Sequence, residues 1–297
     1  MRQSIYLFCV THLAFVAAGC GSPFPPEQIV RLGPFESQVA LATHDDAFSV
    51  MTLNLAHGRN QALHQIFVSA EKTRDNLDAV VELLEANRPD VLGCQEADGP
   101  SFWSGGFSHV YYLASQAEFG WFLRGEHVKA ANLSYGTALL SRLPMQQANV
   151  HTFGPTPMVA RKGFTASTVA VGGRRVKVIS VHLDFSSERS RLNQVREMIS
   201  IFEDERLPLV LMGDFNTDWD GESLRRLSDA LGVRPYEPEN DTLITFGAQK
   251  RLDWILISQE LAFETHAVLD AEVSDHRAVL AELRFREQSE FAARSAP

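Results

Sequence analysis

The sequence predicts an α/β sandwich with mixed β-sheets, on three observations. A strand–helix–strand pattern occurs twice in the same order, further short strands lie close enough to pair as hairpins, and four of the apolar runs end in polar residues. Length and composition permit such a fold. The 297 residues are 45% hydrophobic and 22% charged, which excludes a disordered chain, a collagen-like repeat and a disulfide-stapled miniprotein. The formal net charge of -10, from 37 acidic and 27 basic residues, argues against a protein that coats duplex nucleic acid through many Lys/Arg–phosphate contacts. It leaves room for an enzyme acting on phosphates with a metal ion supplying local positive charge.

In chain order, residues 48–55 (FSVMTLNL) form a buried-strand run. Residues 73–87 place Leu77, Val80, Val81 and Leu84 at helical spacing, and Pro89 ends that helix. Residues 90–96 (DVLGCQE) are a second strand that finishes on a carboxylate. The pattern then recurs: strand 176–183 (VKVISVHL), helix 187–203 with Leu192, Val195, Ile199 and Phe202 on one face, and strand 209–213 leading into Asp214. Asn54 to Glu96 and His182 to Asp214 are separated by 42 and 32 residues, and the polar stretch after Gly58 can absorb the difference. An internal duplication and the ordinary alternation of strands and helices both account for this. Further strands are expected at 135–141, 165–171, 252–257 and 278–285. Strand C-termini in α/β folds open on a crevice where ligands bind, so Asn54, Glu96, His182 and Asp214 are four candidates for one site.

The ends of the chain read differently. Residues 1–19 carry one cation, Arg2, before an apolar run that suits a signal-peptide core. The run closes on Val16-Ala17-Ala18-Gly19-Cys20, which resembles a bacterial lipobox with Cys20 lipidated; a plain secretory signal cleaved nearby is the alternative. Neither Gly21 nor Ser22 is Asp, which resembles sorting to an outer membrane or cell surface. Residues 20–46, with Pro23, Pro25, Pro26 and Pro34, read as a tether, 47–286 as the folded domain, and 287–297 as a polar tail. Cys94, in an apolar run, reads as a small buried hydrophobe with no cysteine left to pair with once the leader is gone and Cys20 lipidated.

Two short motifs carry chemistry. Gly213-Asp214-Phe215-Asn216 puts a carboxylate and an amide at a strand end, where they could bind a metal, orient a water, hold a developing oxyanion or simply make an Asx turn. Ser274-Asp275-His276 precedes the last strand; adjacent residues on one strand point to opposite faces, so Asp275 and His276 flank a site from a loop. Asp253, in a strand run, is a possible partner to fix a histidine tautomer or a buried structural carboxylate.

Taken in order, Thr52-Leu53-Asn54, Gln95-Glu96, Tyr135 to Arg142, Ser180-Val181-His182-Leu183, Gly213 to Asn216, Leu252-Asp253-Trp254 and Ser274-Asp275-His276 resemble the endonuclease/exonuclease/phosphatase superfamily. Its branches include deoxyribonucleases, abasic-site endonucleases, neutral sphingomyelinases and inositol-phosphate phosphatases. The resemblance spans about 48–285. It implies a four-layer α/β-sandwich, two mixed sheets packed face to face with helices outside, and metal-assisted phosphoester hydrolysis. It further implies that Glu96, Asn54 and Asp275 hold the metal, that Asp214 and Asn216 orient the attacking water, that His276 is the catalytic histidine with Asp253 as its carboxylate partner, and that His182 is a second active-site histidine. An all-oxygen ligand set suits magnesium, or manganese or calcium.

The substrate is set by loops. Arg161 and Lys162 could hold a substrate phosphate or sit on a solvated turn, and His57, which follows a site strand, could touch substrate. The aromatic stretch 102–122 either packs partly through a strand at 109–113 or exposes a tip at 101–107 (SFWSGGF) to a lipid interface. No basic stripe marks a nucleic-acid track. The expected partners are therefore a phosphoester substrate, phospholipid-like or nucleic acid, and a membrane reached through lipidated Cys20, with no protein partner indicated.

Overall fold

Both strand–helix–strand units form in the computed structural model, which describes residues 26–32 and 46–287. The elements are β1 (Ile29–Arg31), β2 (Ala47–Asn54), α1 (Ala70–Asn87), β3 (Val91–Asp98), α2 (His109–Gln116), β4 (Trp121–Arg124), β5 (Val128–Ala130), β6 (Leu133–Ser141), β7 (Met145–Thr152), β8 (Gly163–Val171), β9 (Arg174–His182), α3 (Glu188–Phe202), β10 (Leu209–Asp214), α4 (Glu222–Leu231), β11 (Val233–Pro235), β12 (Asp253–Ser258), β13 (Leu261–Val268) and β14 (Val279–Phe285). One sheet runs β1-β4-β6-β3-β2-β14-β13, with β5 added to β6; the other runs β11-β12-β10-β9-β8-β7. β2 with β3 and β9 with β10 are parallel, each pair joined by a helix, while the flanking pairs are antiparallel.

Strand alternation produces the layers. Phe48 and Val50 of β2 and Val91 of β3 face the gap between the sheets, as do Val176, Val178, Val210, Met212 and Ile255 from the second sheet. The intervening positions point outward. Met51, Leu53, Leu92 and Cys94 pack under Leu77, Leu84 and Leu113 of α1 and α2. Ile179, Val181 and Leu211 pack under Val195, Met198 and Leu227 of α3 and α4. The result is the expected four-layer sandwich.

The helix ends follow local chemistry. Ser69 caps α1 by accepting from Lys72 N, and Arg88 closes it in the left-handed conformation just before Pro89. Ser187 caps α3 by accepting from Ser190 N. Two expectations change. The segment 109–113 is helical, because Ser108 accepts from Tyr111 N and caps α2, whose Val110 and Leu113 face the core. Within the expected tether, Ile29–Arg31 is a strand: β1 pairs with β4, and Val30 and Ile29 lie against core clusters. The leader 1–19, Cys20 and most of the tail lie outside the described residues.

Cys94 is fully buried in the helix-side core, and burial raises its thiol pKa. It is expected to resist iodoacetamide in the native protein and to react only in denaturant, as read by peptide mapping; fast native labelling would contradict this placement of β3.

Candidate active site at the open end of the sandwich

The gap-facing positions change character along the strands. At one end they are Val, Met and Phe; toward the C-terminal ends of β2, β3, β9 and β10 they become Thr52 and Asn54, Gln95, Ser180 and His182, and Asp214. β12 contributes Asp253 opposite Asp214 in register. The polar rows are cross-linked: Gln95 Nε2 donates to Ser180 Oγ (3.0 Å), and Asn54 Nδ2 donates to Asp214 Oδ2 (3.1 Å), both bridging the two sheets.

Asp214 is the centre of one group. Gly213 before it has φ +147°, and a Cβ there would stand 2.0 Å from Val181 O, so glycine is required where β10 presses on β9. Asp214 Oδ1 accepts from Asn216 N (2.9 Å), and Asn216 is anchored by its own Nδ2 donating to Leu183 O (3.0 Å). His182 Nε2 is 3.4 Å and His276 Nε2 3.9 Å from Asp214 Oδ2. His276 Nδ1 is hydrogen-bonded to Asp253 Oδ2 at 2.8 Å, and Thr245 Oγ1 accepts from the backbone N–H groups of Leu252 and Asp253. Burial, reinforced by the Asp253 charge and opposed by His276, raises the Asp214 pKa to about 7. Burial pulls His276 down, but Asp253 and Asp214 outweigh it and raise it to about 10. His182 is held neutral by burial and by Lys162, whose Nζ lies 3.0 Å from its Nε2.

Glu96 anchors a second group and reaches it through a backbone irregularity. Plain alternation would send Glu96, like Leu92 and Cys94, toward the helices. The β3–β6 register breaks between Cys94 and Ala97, and Glu96 takes φ +48°, a β-bulge that re-aims its side chain. It lies 3.4 Å from His57 Nε2 and 3.7 Å from Lys162 Nζ, the latter from the opposite sheet. Burial raises the Glu96 pKa, yet His57, Lys162, His276 and Arg59 together bring it below the usual value. Ala56 and His57 both have positive φ, the strained turn that swings His57 over the site. His57 Nδ1 is 2.6 Å from Asp98 Oδ1, and Asp98 also accepts from Trp103 Nε1 (2.9 Å) and Ser104 Oγ.

The structure thus brings Asn54, His182, Asp214, Asn216, Asp253 and His276 together, with Glu96, Lys162 and His57 on the adjoining wall. Asp275 turns away from His276 and pairs with Arg59 Nη2 at 2.5 Å, while Ser274 Oγ donates to Asn54 O (2.7 Å) and holds this loop to β2. Arg161 is exposed at the rim of a small hollow that Glu96, Lys162, His182 and Tyr135 also line. Of the aromatics within 101–107 only Phe102 is well exposed; Trp103 folds back on His57 and Tyr135. Arg59, Asp98 and Tyr135 also reach the site without a motif of their own; Asp98, two residues beyond Glu96 on the same strand, carries the nearest sequence signal. One set of donors converges closely enough to hold a cation, and a second is distinguished by its chemistry. Asp214, Asp253 and His276 have ligand atoms within 4.8 Å of one another. Asn54, Glu96 and Asp275 offer oxygen only.

Residues 51–276 match the model of the Endonuclease/Exonuclease/phosphatase family. A search of curated proteins found no match. Solved structures of similar fold include an endonuclease/exonuclease/phosphatase from Beutenbergia cavernae (TM-score 0.64, 20% identity, 81% of this chain and 72% of that one). They also include a mannosyl-6-phosphatase of Bacteroides thetaiotaomicron (TM-score 0.62, 16% identity, 80% and 100%) and a humanized TDP2 from D. rerio (TM-score 0.59, 16% identity, 80% and 99%). At these identities the likeness is one of fold.

Asp98→Ala would leave the His57, Trp103 and Ser104 donors without an acceptor in a buried place. It is expected to cost about 2–4 kcal/mol in urea unfolding; a loss under about 0.5 kcal/mol would mean that these bonds do not hold the wall.

Proposed function

Because the chain belongs to the endonuclease/exonuclease/phosphatase family of phosphoester hydrolases, we propose that it cleaves phosphodiesters with a divalent cation, as an exported protein held to a membrane by its N-terminus and acting on lipid head groups. The observation that carries the reading is the buried Asp214, His276 and Asp253 arrangement, two carboxylates around one histidine at the mouth of the gap.

The two donor sets are not equivalent. His276 gives its Nδ1 to Asp253, and its carboxylates raise its pKa, which suits it to hold and donate a proton at Nε2 more than to bind a metal. Asn54, Glu96 and Asp275 fit a hard cation such as magnesium, and Glu96 keeps its charge despite burial. When bound, the cation would neutralise phosphate oxygens and help a water to attack. Asp214, with a pKa near neutrality, takes the proton from that water, and Asn216, fixed by Leu183 O, holds the water's direction. His276, with Asp253 on Nδ1, presents its Nε2 proton to the phosphate, while Lys162 beside neutral His182 supplies a further positive contact for a phosphate oxygen.

The acidic net charge and the lack of a basic track favour a small or membrane-presented diester over duplex nucleic acid. The leader and Cys20 support export and anchoring. Among the described residues no helix is long and apolar enough to cross a membrane.

The test is magnesium-dependent hydrolysis by the full chain of sphingomyelin, phosphatidylcholine, inositol phosphates, supercoiled plasmid and mannose 6-phosphate, the last because one structural neighbour is named for that activity. EDTA is expected to abolish turnover, and Glu96→Ala and Asp214→Asn each to lower it by about a hundredfold or more. Strong plasmid nicking at low enzyme would replace the lipid reading with a nuclease. Asp214 accepts a proton only when ionised, so activity should fall as pH drops through about 7; His276 keeps its proton until about 10, so the alkaline fall should come there. A flat profile between about pH 5 and 8 would reject Asp214 as the base.

A further inference from the structure

We infer that the catalytic edge of the sandwich is also its membrane-contacting edge, seated on a zwitterionic lipid surface. The inference deepens the lipid-directed reading and rests on it for the substrate, but the contact itself stands on other observations.

The first is where apolar surface is exposed. Among the described residues, six large hydrophobics are more than half exposed: Leu63, Ile66, Phe67, Phe102, Met158 and Phe185. All six lie in connecting segments at the open end of the gap, Ile66 and Phe67 on a single 3-10 turn. Three follow β2, one follows β3, one joins β7 to β8 where Gly163 pairs with His182, and one follows β9. The loops at the opposite end, at 88–90, 117–120, 142–144, 172–173 and 203–208, present no such residue. Single hydrophobics scattered over a surface are ordinary, but six confined to one edge mark a contact. Ring contacts link the rim to the site: Phe67 to His64 (6.2 Å), His64 and Phe102 to Trp103 (6.1 and 6.2 Å), and Trp103 to His57 (5.2 Å), which meets Glu96.

The second is where the N-terminal chain leaves the domain. β1 is antiparallel to β4, β4 to β6 and β6 to β3, so the start of β1 points to the same end as the end of β3. Glu27 N donates to Arg124 O (2.8 Å) and fixes this start. Because β1 is docked, the spacer from Cys20 is only the few residues before Pro26, a reach of at most about 20 Å. β1 stands three strands from β3, about 15 Å from the mouth. A lipid on Cys20 would therefore enter the same surface that the apolar rim meets.

The occupant follows from charge and form. A chain of net charge -10 is repelled by anionic head groups, which leaves zwitterionic lipid. Side chains carried on four separate loops suit a fluid interface that accommodates each one, with aromatics at head-group depth.

The test places single cysteines bearing an environment-sensitive fluorophore in the full chain with Cys9→Ser and Cys20→Ser: Phe67→Cys and Met158→Cys on the rim, Glu118→Cys and Asp204→Cys at the opposite end. With phosphatidylcholine vesicles, the rim labels are expected to shift to the blue and to be quenched by brominated lipid, and the other two to stay water-like. Phe67→Ser with Phe102→Ser should weaken vesicle binding about tenfold or more and leave hydrolysis of a soluble nitrophenyl phosphodiester unchanged. No vesicle binding, lipid contact at the opposite end, or tighter binding once phosphatidylserine is added would overturn the inference. Buried rim labels without hydrolysis of any substrate would support the docking and reject the enzymatic reading; soluble-diester hydrolysis with water-exposed rim labels would do the reverse.

Discussion

The period of two along a β-strand is the constraint on which the site depends. Because two sheets face one another, one parity of residues from both is confined to a single narrow gap. Where that parity is apolar, as at Val50, Val178 and Met212, the gap is a core. Where it turns polar, at Asn54, His182 and Asp214, the same geometry forces groups far apart in sequence into hydrogen-bonding distance. The apolar end keeps the walls rigid, so the polar end is preorganised without contacts of its own having to supply the folding energy.

Confinement also sets the electrostatics. Asp214 and Asp253 are each 2% exposed or less, and burial raises the Asp214 pKa toward neutrality. His276 lies between them, and its proton answers both. Across the mouth, Glu96 is surrounded by His57, Lys162 and Arg59. Acid and base are thus separated into two neighbourhoods: one raises a carboxylate toward neutrality, the other keeps a carboxylate ionised. That division is what a reaction needs if one acid is to move protons and another is to hold a cation.

Much of this was legible in the sequence, and the limits have physical causes. The central strands were readable because burial on both faces leaves continuous apolar runs, and α1 and α3 because their spacing and capping serines agree. β7 and β13, at sheet edges with solvent-facing polar positions, carry weaker runs and were not anticipated. Nor were β1, three residues long among prolines, and α4. The strand expected at 109–113 is a helix because Ser108 caps it, a local signal outweighed in reading by the β-favouring Val110, Tyr111 and Tyr112. At the site, Asp253 and His276 could be named as possible partners. Arg59 could not, because its partner Asp275 lies on another loop and that distance is set only once the sheets close.

The bulge at Glu96 makes the site depend on the length of one strand. One additional residue in β3 separates a carboxylate aimed into the mouth from one aimed at α1, while the ladder resumes on either side. A one-codon deletion at this point would restore a regular strand and disarm the centre with little harm to the sandwich. The irregularity in the ladder, and not the strand as such, sets where the Glu96 charge sits.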